Sequence, residues 1–362
     1  MMAKATRLAG LDVHARQTHA AILHLDSGEL GVSRLRMAPL EVVGVLEKLG
    51  SGVVAVYEAG PTGFDLARAG RARGIDVRVV APGSIPKGPG DRVKTDRRDA
   101  IRLVRLLAAG ELSFAFVPTI EDEQFRDLVR CIEDIRGDLM RARHRLGKFL
   151  LRRGQRYDGV NWTGKHMRWL GKLSFEDPCS QACFADYLAA VELLCGRRQT
   201  LIQILEQQIP NSAHTQAIAR LRCFRGIDTL SAAGIAAEVG DFTRFPKPTL
   251  LSGFLGIVPT ERTSDTKRRL GSITKAGPPH ARRLLVEAAH HYRYPPRIGD
   301  VLARRQAGQD PRIIEIAWRA QGRLHTRWQH LRHQRHKPTG VTAIAVAREL
   351  AAFLWEAATL DG

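Results

Sequence analysis

The chain has 362 residues, 44% of them hydrophobic, enough for about two domains with real cores, which excludes a disordered basic tail. Its formal charge of +19, carried mostly by arginine, points to nucleic acid, because a guanidinium grips phosphate through paired hydrogen bonds. Cys131, Cys179, Cys183, Cys195 and Cys223 form no CxxC pair, which argues against a zinc ribbon or redox motif; with no signal peptide and no membrane-length apolar run, a cytoplasmic, nucleoid-associated protein with reduced thiols is expected.

Arg7 to His14 reads as a strand that delivers Asp12 to its end. Gln17 to His24 and Glu29 to Met37 read as two more, with a turn at Asp26-Ser27-Gly28 between them. A helix from Pro39 to Leu49 leads to Val53–Glu58, an apolar run that reads as a buried strand ending on Glu58. Ala59 to Gly63 turns into another helix, and Asp76 to Val80 is a fifth strand. A strand meander followed by alternating strands and helices describes an α/β fold of ribonuclease-H type over residues 1–118. The loop from Ala81 to Val93, rich in Gly and Pro, is expected to be mobile.

That loop leads into Lys94-Thr-Asp96-Arg97-Arg98-Asp99-Ala100. If Asp96 opens a helix that Gly110 stops, Asp99 lies one turn further along the same face. Alone, an N-cap and solvated Asp–Arg pairs would account for the stretch. With Asp12 and Glu58 at strand ends, however, the four acids match a two-metal phosphodiester site, whose ions ~4 Å apart need several carboxylate oxygens.

Glu121 to Leu151 differs in kind. Phe125, Leu128, Ile132, Ile135, Leu139, Ala142, Leu146 and Phe149 alternate spacings of three and four, an a/d seam, while Arg141, Arg145 and Lys148 are among the cations on the outer faces. Phe184, Leu188, Val191, Cys195, Ile202, Leu205 and Ile209 make a second seam, interrupted at Arg198. The two helices form a hairpin, or one zips against a second protomer, so residues 119–212 read as a coiled-coil connector. Between the seams, Trp162 and Trp169 stand among cations, where they serve a core or stack on bases.

The remaining residues, 213–362, read as mainly helical. Leu221 to Gly240 has the look of a helix–hairpin–helix whose Gly226 turn offers N–H groups to phosphate, although a plain helical turn fits as well. Val258 to Gly277 is polar and dense in cations, with Ser264 near Lys267, Arg268, Arg269 and Lys275. A hydroxyl so placed could attack a phosphodiester or simply contact phosphate. His330, His333 and His336 lack a Cys or acid partner and read as a basic face rather than a metal site.

Gly10–His14, Tyr57–Gly63 and Lys94–Ala100 resemble the N-terminal half of the DEDD transposases of the insertion-sequence-110 family, and the run from Phe254–Pro259 through His280–Ala289 resembles their C-terminal half. The motifs are short, but they occur in order and span both ends of the chain. The resemblance implies a RuvC-like N-terminal fold in which Asp12, Glu58, Asp96 and Asp99 hold Mg²⁺ (or Mn²⁺). It implies a C-terminal transposase domain whose serine becomes covalently joined to DNA, and matching the motif places that serine at Ser264. Asp265 stands where the family usually has Gly, and Ser252 and Ser272 are the fall-back candidates for the nucleophile. Donor and target double-stranded DNA, a structured guide RNA and a dimeric or tetrameric assembly are implied partners. The expected function is site-specific strand exchange by an insertion-sequence transposase; a metal-dependent nuclease or Holliday-junction resolvase is the alternative. Expected nucleic-acid contacts are Arg97, Arg98, Arg141, Arg145, Lys148, Gly226, Lys267, Arg268, Arg269 and Lys275. An actin-like ATPase is disfavoured, since no Walker A sequence is present.

Overall fold

The computed structural model describes residues 5–50, 52–86, 95–264 and 267–360, the side chains at 84 and 262–268 excepted. The chain divides into one unit spanning Met1–Thr119 and another spanning Ile120–Gly362.

In the first unit, β1 (Arg7–Val13), β2 (Thr18–His24) and β3 (Leu30–Leu35) form the meander. α1 (Val42–Lys48), β4 (Val53–Glu58), α2 (Asp65–Ala72), β5 (Asp76–Val80) and α3 (Asp96–Ala108) follow. The sheet order is β3-β2-β1-β4-β5, antiparallel through the meander and parallel from β1 to β5. This mixed sheet is consistent with a ribonuclease-H-like domain.

Alternation along each strand divides the sheet into two faces. Ala9, Leu11, Ala55, Tyr57, Val77 and Val79 pack with Val42, Val43 and Leu46 of α1 and Leu66 and Ala67 of α2. Leu8, Ala21, Val56 and Val80 turn the other way, against Ala100, Leu103 and Val104 of α3. The same parity puts Gly10, Asp12 and Glu58 on the α3 face. A Cβ at Gly10 would run into the Ala100 carbonyl oxygen and the Val104 nitrogen, so the helix backbone rests directly on β1 there. That contact sets where the N-terminus of α3 lies. Gly10→Ala is therefore expected to cost about 1–3 kcal/mol of stability, seen as a lowered urea midpoint at unchanged m.

Two details depart from the sequence reading. The helix expected from Pro39 opens as a 3₁₀ turn over Pro39–Glu41 before the α-helix begins at Val42. Thr95, not Asp96, caps α3, its side chain accepting from the Arg98 N–H, so Asp96 is the first helical residue. The expected mobility falls largely on residues 87–94, outside the described residues.

In the second unit, α4 (Ile120–Arg152) and α6 (Pro178–Gln208) are long helices packed along each other, with α5 (Gly164–Leu170) between them in sequence. Leu139, Ala142, Leu146, Phe149 and Leu150 of α4 meet Phe184 and Val191 near the start of α6, while Phe125, Val129 and Ile132 share a core with Leu205 near its end. The pair is thus antiparallel, and the apolar stripe of α4 is buried within one chain. Val129 takes the fully buried place and Leu128 is half-buried.

α7 (Thr215–Leu221), α8 (Thr229–Val239) and α9 (Pro248–Phe254) lead to a hairpin of β6 (Pro259–Ser264) and β7 (Lys267–Ile273). α10 (Pro279–Ala289), α11 (Asp300–Gln306), α12 (Pro311–Gln329) and α13 (Thr339–Ala358) complete the unit. Among the described residues, no helix is long and apolar enough to cross a membrane.

One buried charge links α4 to α8. Glu238, its side chain 3% exposed, receives Arg130 through Nε at 3.0 Å and Nη2 at 2.8 Å, with His280 Nδ1 at 3.8 Å. Burial pushes its carboxyl up, but hydrogen bonds from His280 and Arg130 and the charges of Arg130 and Arg126 outweigh it, leaving a value of about 2. A carboxylate depressed in the folded state stabilises above its unfolded value of 4.5, and that contribution is lost as pH falls towards 2. About 3 kcal/mol is involved. Urea midpoints measured from pH 6 downward should fall steeply for the native chain and less for Glu238→Gln.

Candidate active site

β1 ends on Asp12-Val13, and in the antiparallel register Asp12 stands directly opposite His19 of β2. In the parallel register Leu11 lies beside Tyr57, so the following residues, Asp12 and Glu58, end neighbouring strands. Asp96 arrives from the N-terminus of α3, laid over the same face by the contact at Gly10.

His14 Nε2 lies 3.2 Å from Asp12 Oδ2 and 3.6 Å from Asp96 Oδ2, and His19 Nδ1 lies 3.5 Å from Asp96 Oδ2. One ligand atom each from Asp12, His19 and Asp96 lie within 4.8 Å of one another. Burial raises the Asp12 carboxyl above the ordinary carboxylate range; His14 opposes that shift and the charges of Asp96 and Asp99 add to it. Asp99 is therefore near enough to be felt at Asp12. Glu58 is exposed at the end of β4 and lies outside the three-residue group.

The donor set suits a divalent cation. Carboxylate oxygens are hard ligands, and His19 Nδ1, 3.5 Å from Asp96 Oδ2, sets a nitrogen donor beside them. His14 and His19 were not anticipated as site residues. The direct pairing of His19 with Asp12 would have identified it, had the register of the first hairpin been assigned.

Residues 9–153 match the model described as Transposase, of the DEDD IS110 type, and residues 218–300 match the Transposase IS116/IS110/IS902 family. A putative transposase, y4qE, of Sinorhizobium fredii is 43% identical over 301 residues, covering 83% of this chain and 73% of that protein. The transposase for insertion sequence element IS1533 of Leptospira borgpetersenii is 30% identical over 336 residues, covering 91% of this chain and 97% of that one. The chain belongs to the IS110 family of insertion-sequence transposases. A probable family 20 transposase of Pseudomonas aeruginosa is 27% identical over 91% of both chains. The transposase is accordingly an enzyme that acts on DNA.

In the second unit of the transposase, Ser264 is the last residue of β6 and its backbone pairs with Lys267 at the start of β7, which places both beside the hairpin tip. The side chains of Ser264, Lys267 and Arg268 lie outside the described residues. Arg269 and Ser272 are exposed on β7, Lys275 is exposed beyond it with φ of 56°, and Ser252 is buried on α9. Gly226, at φ 81°, sits against the Ala288 backbone, and Asp228 caps α8 by accepting the Ser231 N–H at 2.7 Å. That helix end is thus already met by a carboxylate. Arg97 and Arg98 are exposed on α3, and Arg145 and Lys148 on α4, where Arg141 pairs with Asp138. His330 Nδ1 meets Gln334 Oε1 at 2.7 Å, and the three C-terminal histidines belong to no metal-binding group among the described residues.

Proposed function

We propose that the transposase carries out site-specific DNA strand exchange with two sets of residues, a cation-binding acid cluster in the first unit and a serine nucleophile in the second. The convergence of Asp12, Asp96 and the His19 ring nitrogen supports the reading most directly. Asp12 and Asp96 would hold Mg²⁺ or Mn²⁺, His19 would add a nitrogen, and Glu58 and Asp99 would complete the set from the α3 face. Such an ion, when bound, stabilises negative charge on phosphate and favours ionisation of a hydroxyl. Asp12 and Asp96 then orient what the cation holds, and α3 presents its positive N-terminal end to phosphate.

Ser264 would be the nucleophile, with Lys267, Arg268, Arg269 and Lys275 steadying the phosphate. Support comes from the motif resemblance and from the position of Ser264 at a hairpin end. Arg97, Arg98, Arg141, Arg145 and Lys148 would meet nucleic-acid backbone, and Gly226 would approach it at the helix turn. A charge of +19 without a DNA-reading module such as a C₂H₂ finger fits guidance by a structured RNA. Residues 1–118 would form the RuvC-like catalytic domain, 119–212 a coiled-coil connector and 213–362 the transposase domain, in a dimer or tetramer acting at the nucleoid.

The cation reading is tested by titrating Mn²⁺ into the whole protein and following free ion by electron paramagnetic resonance. Asp12→Asn and Asp96→Asn should each weaken binding at least about tenfold, and His19→Gln about 10–100-fold. Equal binding by the Asp12→Asn/Asp96→Asn double variant would remove the site.

A further inference from the structure

The stripe of α4 that faces α6 is filled, but a second stripe beside it is not. Met140, Arg143, Gly147 and Leu151 recur at helical spacing, and with Trp162 and Lys148 they border a cavity of about 300 Å³. Met140 and Leu151 are 40% and 62% exposed, so apolar surface faces solvent at both ends of the stripe. At Gly147 the floor is open: no heavy atom lies within 4 Å of where a Cβ would stand.

Trp162 forms the opposite wall. Its φ of 64° is in the left-handed region, which a bulky side chain rarely adopts, so the surrounding structure must hold it there. It is held by its backbone N–H, which donates to His166 Nδ1 at 3.1 Å, and by the His166 ring set edge-on at 5.0 Å. The Arg143 guanidinium lies 4.9 Å from the indole centroid, and its Nη2 donates to Cys195 Sγ at 3.7 Å. Arg143 and Lys148 form no ion pair among the described residues, and no carboxylate lines the cavity.

We infer that this cavity takes one unpaired nucleobase, held between the Gly147 floor and the Trp162 wall, with Lys148 and Arg143 on the flanking phosphate. The inference rests on the reading that the outer face of α4 meets nucleic acid. An aromatic wall and an apolar floor fit the flat face of a base, and a rim with cations and no carboxylate fits the charge beside it. A duplex offers base edges in its grooves rather than faces, so the occupant is a single-stranded or looped segment.

The test uses the full chain, labelled single-stranded RNA, single-stranded DNA and duplex DNA of equal length, and anisotropy over a range of salt. Gly147→Leu puts a side chain into empty space and raises helix propensity, so folding should be kept. It should weaken single-strand binding about 5–150-fold at unchanged salt slope and leave duplex binding as it was. Trp162→Ala should do the same, and Trp162→Tyr should retain binding. A loss confined to RNA identifies a guide strand as the source of the base, and a loss for both single strands identifies opened DNA as well. Lys148→Gln should lower the slope by about 0.7. Wild-type affinity in Gly147→Leu, or equal weakening for single strands and duplex, would overturn the base site while leaving the backbone reading of α4 intact. An unchanged slope when Arg141, Arg145 and Lys148 all become Gln would overturn both.

Discussion

Asp96→Asn is expected to reduce strand exchange by about 10³-fold or more, on the scale seen when a charge-stabilising group is removed from an active site. Folding should survive, because Thr95 is the cap of α3 and Asp96 is partly exposed. The lost helix-end interaction amounts to about 0.3–1 kcal/mol. DNA affinity should stay level or rise, since one negative charge near the bound phosphates has gone. That combination separates a catalytic carboxylate from a structural one. Asp12→Asn should behave alike in activity, and neutralising its partly buried carboxyl should cost the fold little, because burial already disfavours its charge. Single-turnover exchange, urea midpoints and anisotropy on the same preparations make the comparison. Activity within tenfold of wild type, or a fold lost together with activity, would place the Asp96 carboxylate outside the chemistry.

The strands that carry the acids were legible because each has a buried face and therefore a pattern. Val53–Glu58 ends where the apolar run predicts, and the expected positions of β1 and α3 hold to within a residue or so. The histidines were not legible, because their proximity to Asp12 and Asp96 depends on hairpin register and helix placement, which alternation within one strand does not report. β6 and β7 read only as a polar stretch. They form a two-stranded ribbon whose described side chains include exposed Glu261, Arg269, Leu270 and Ser272, so no apolar alternation marked them as strands. The α4 seam was visible, but whether another chain or its own would fill it was not. α6 fills it, and the cavity beside Gly147 could not be foreseen because it depends on where the connector places Trp162. Glu238 and Arg130 meet across 108 residues of sequence, a pairing no local pattern could announce.

Ser264→Ala should bind DNA normally and form no covalent protein–DNA adduct, with exchange reduced by about 10⁶-fold, the scale for loss of a catalytic serine. A serine ester conserves the phosphodiester bond energy. In the proposed reaction, one P–O bond of the DNA backbone would break as the Ser264 Oγ–P bond forms; the hydroxyl would give up its proton and the departing sugar oxygen would take one up. The reverse attack by a new sugar hydroxyl restores a phosphodiester, so religation needs no ATP. A neutral serine hydroxyl is a weak nucleophile, and Lys267, Arg268, Arg269 and Lys275 are poor bases at neutral pH. Under the proposed mechanism they would stabilise charge on a pentavalent phosphate. The alternatives differ in access: Ser252 is buried on α9, Tyr292 is fully buried with its hydroxyl pushed to high pKa by that burial, and Ser272 is exposed on β7. Of these three, Ser272 alone is exposed. Trapping the reaction in denaturant and mapping the DNA-linked peptide by mass spectrometry decides the matter. A phosphoester on Ser264 that vanishes in Ser264→Ala is the expected result. An adduct on Ser272, or full exchange by Ser264→Ala, would overturn the assignment, and cleavage by the native chain with no adduct at all would make the enzyme a water-dependent nuclease.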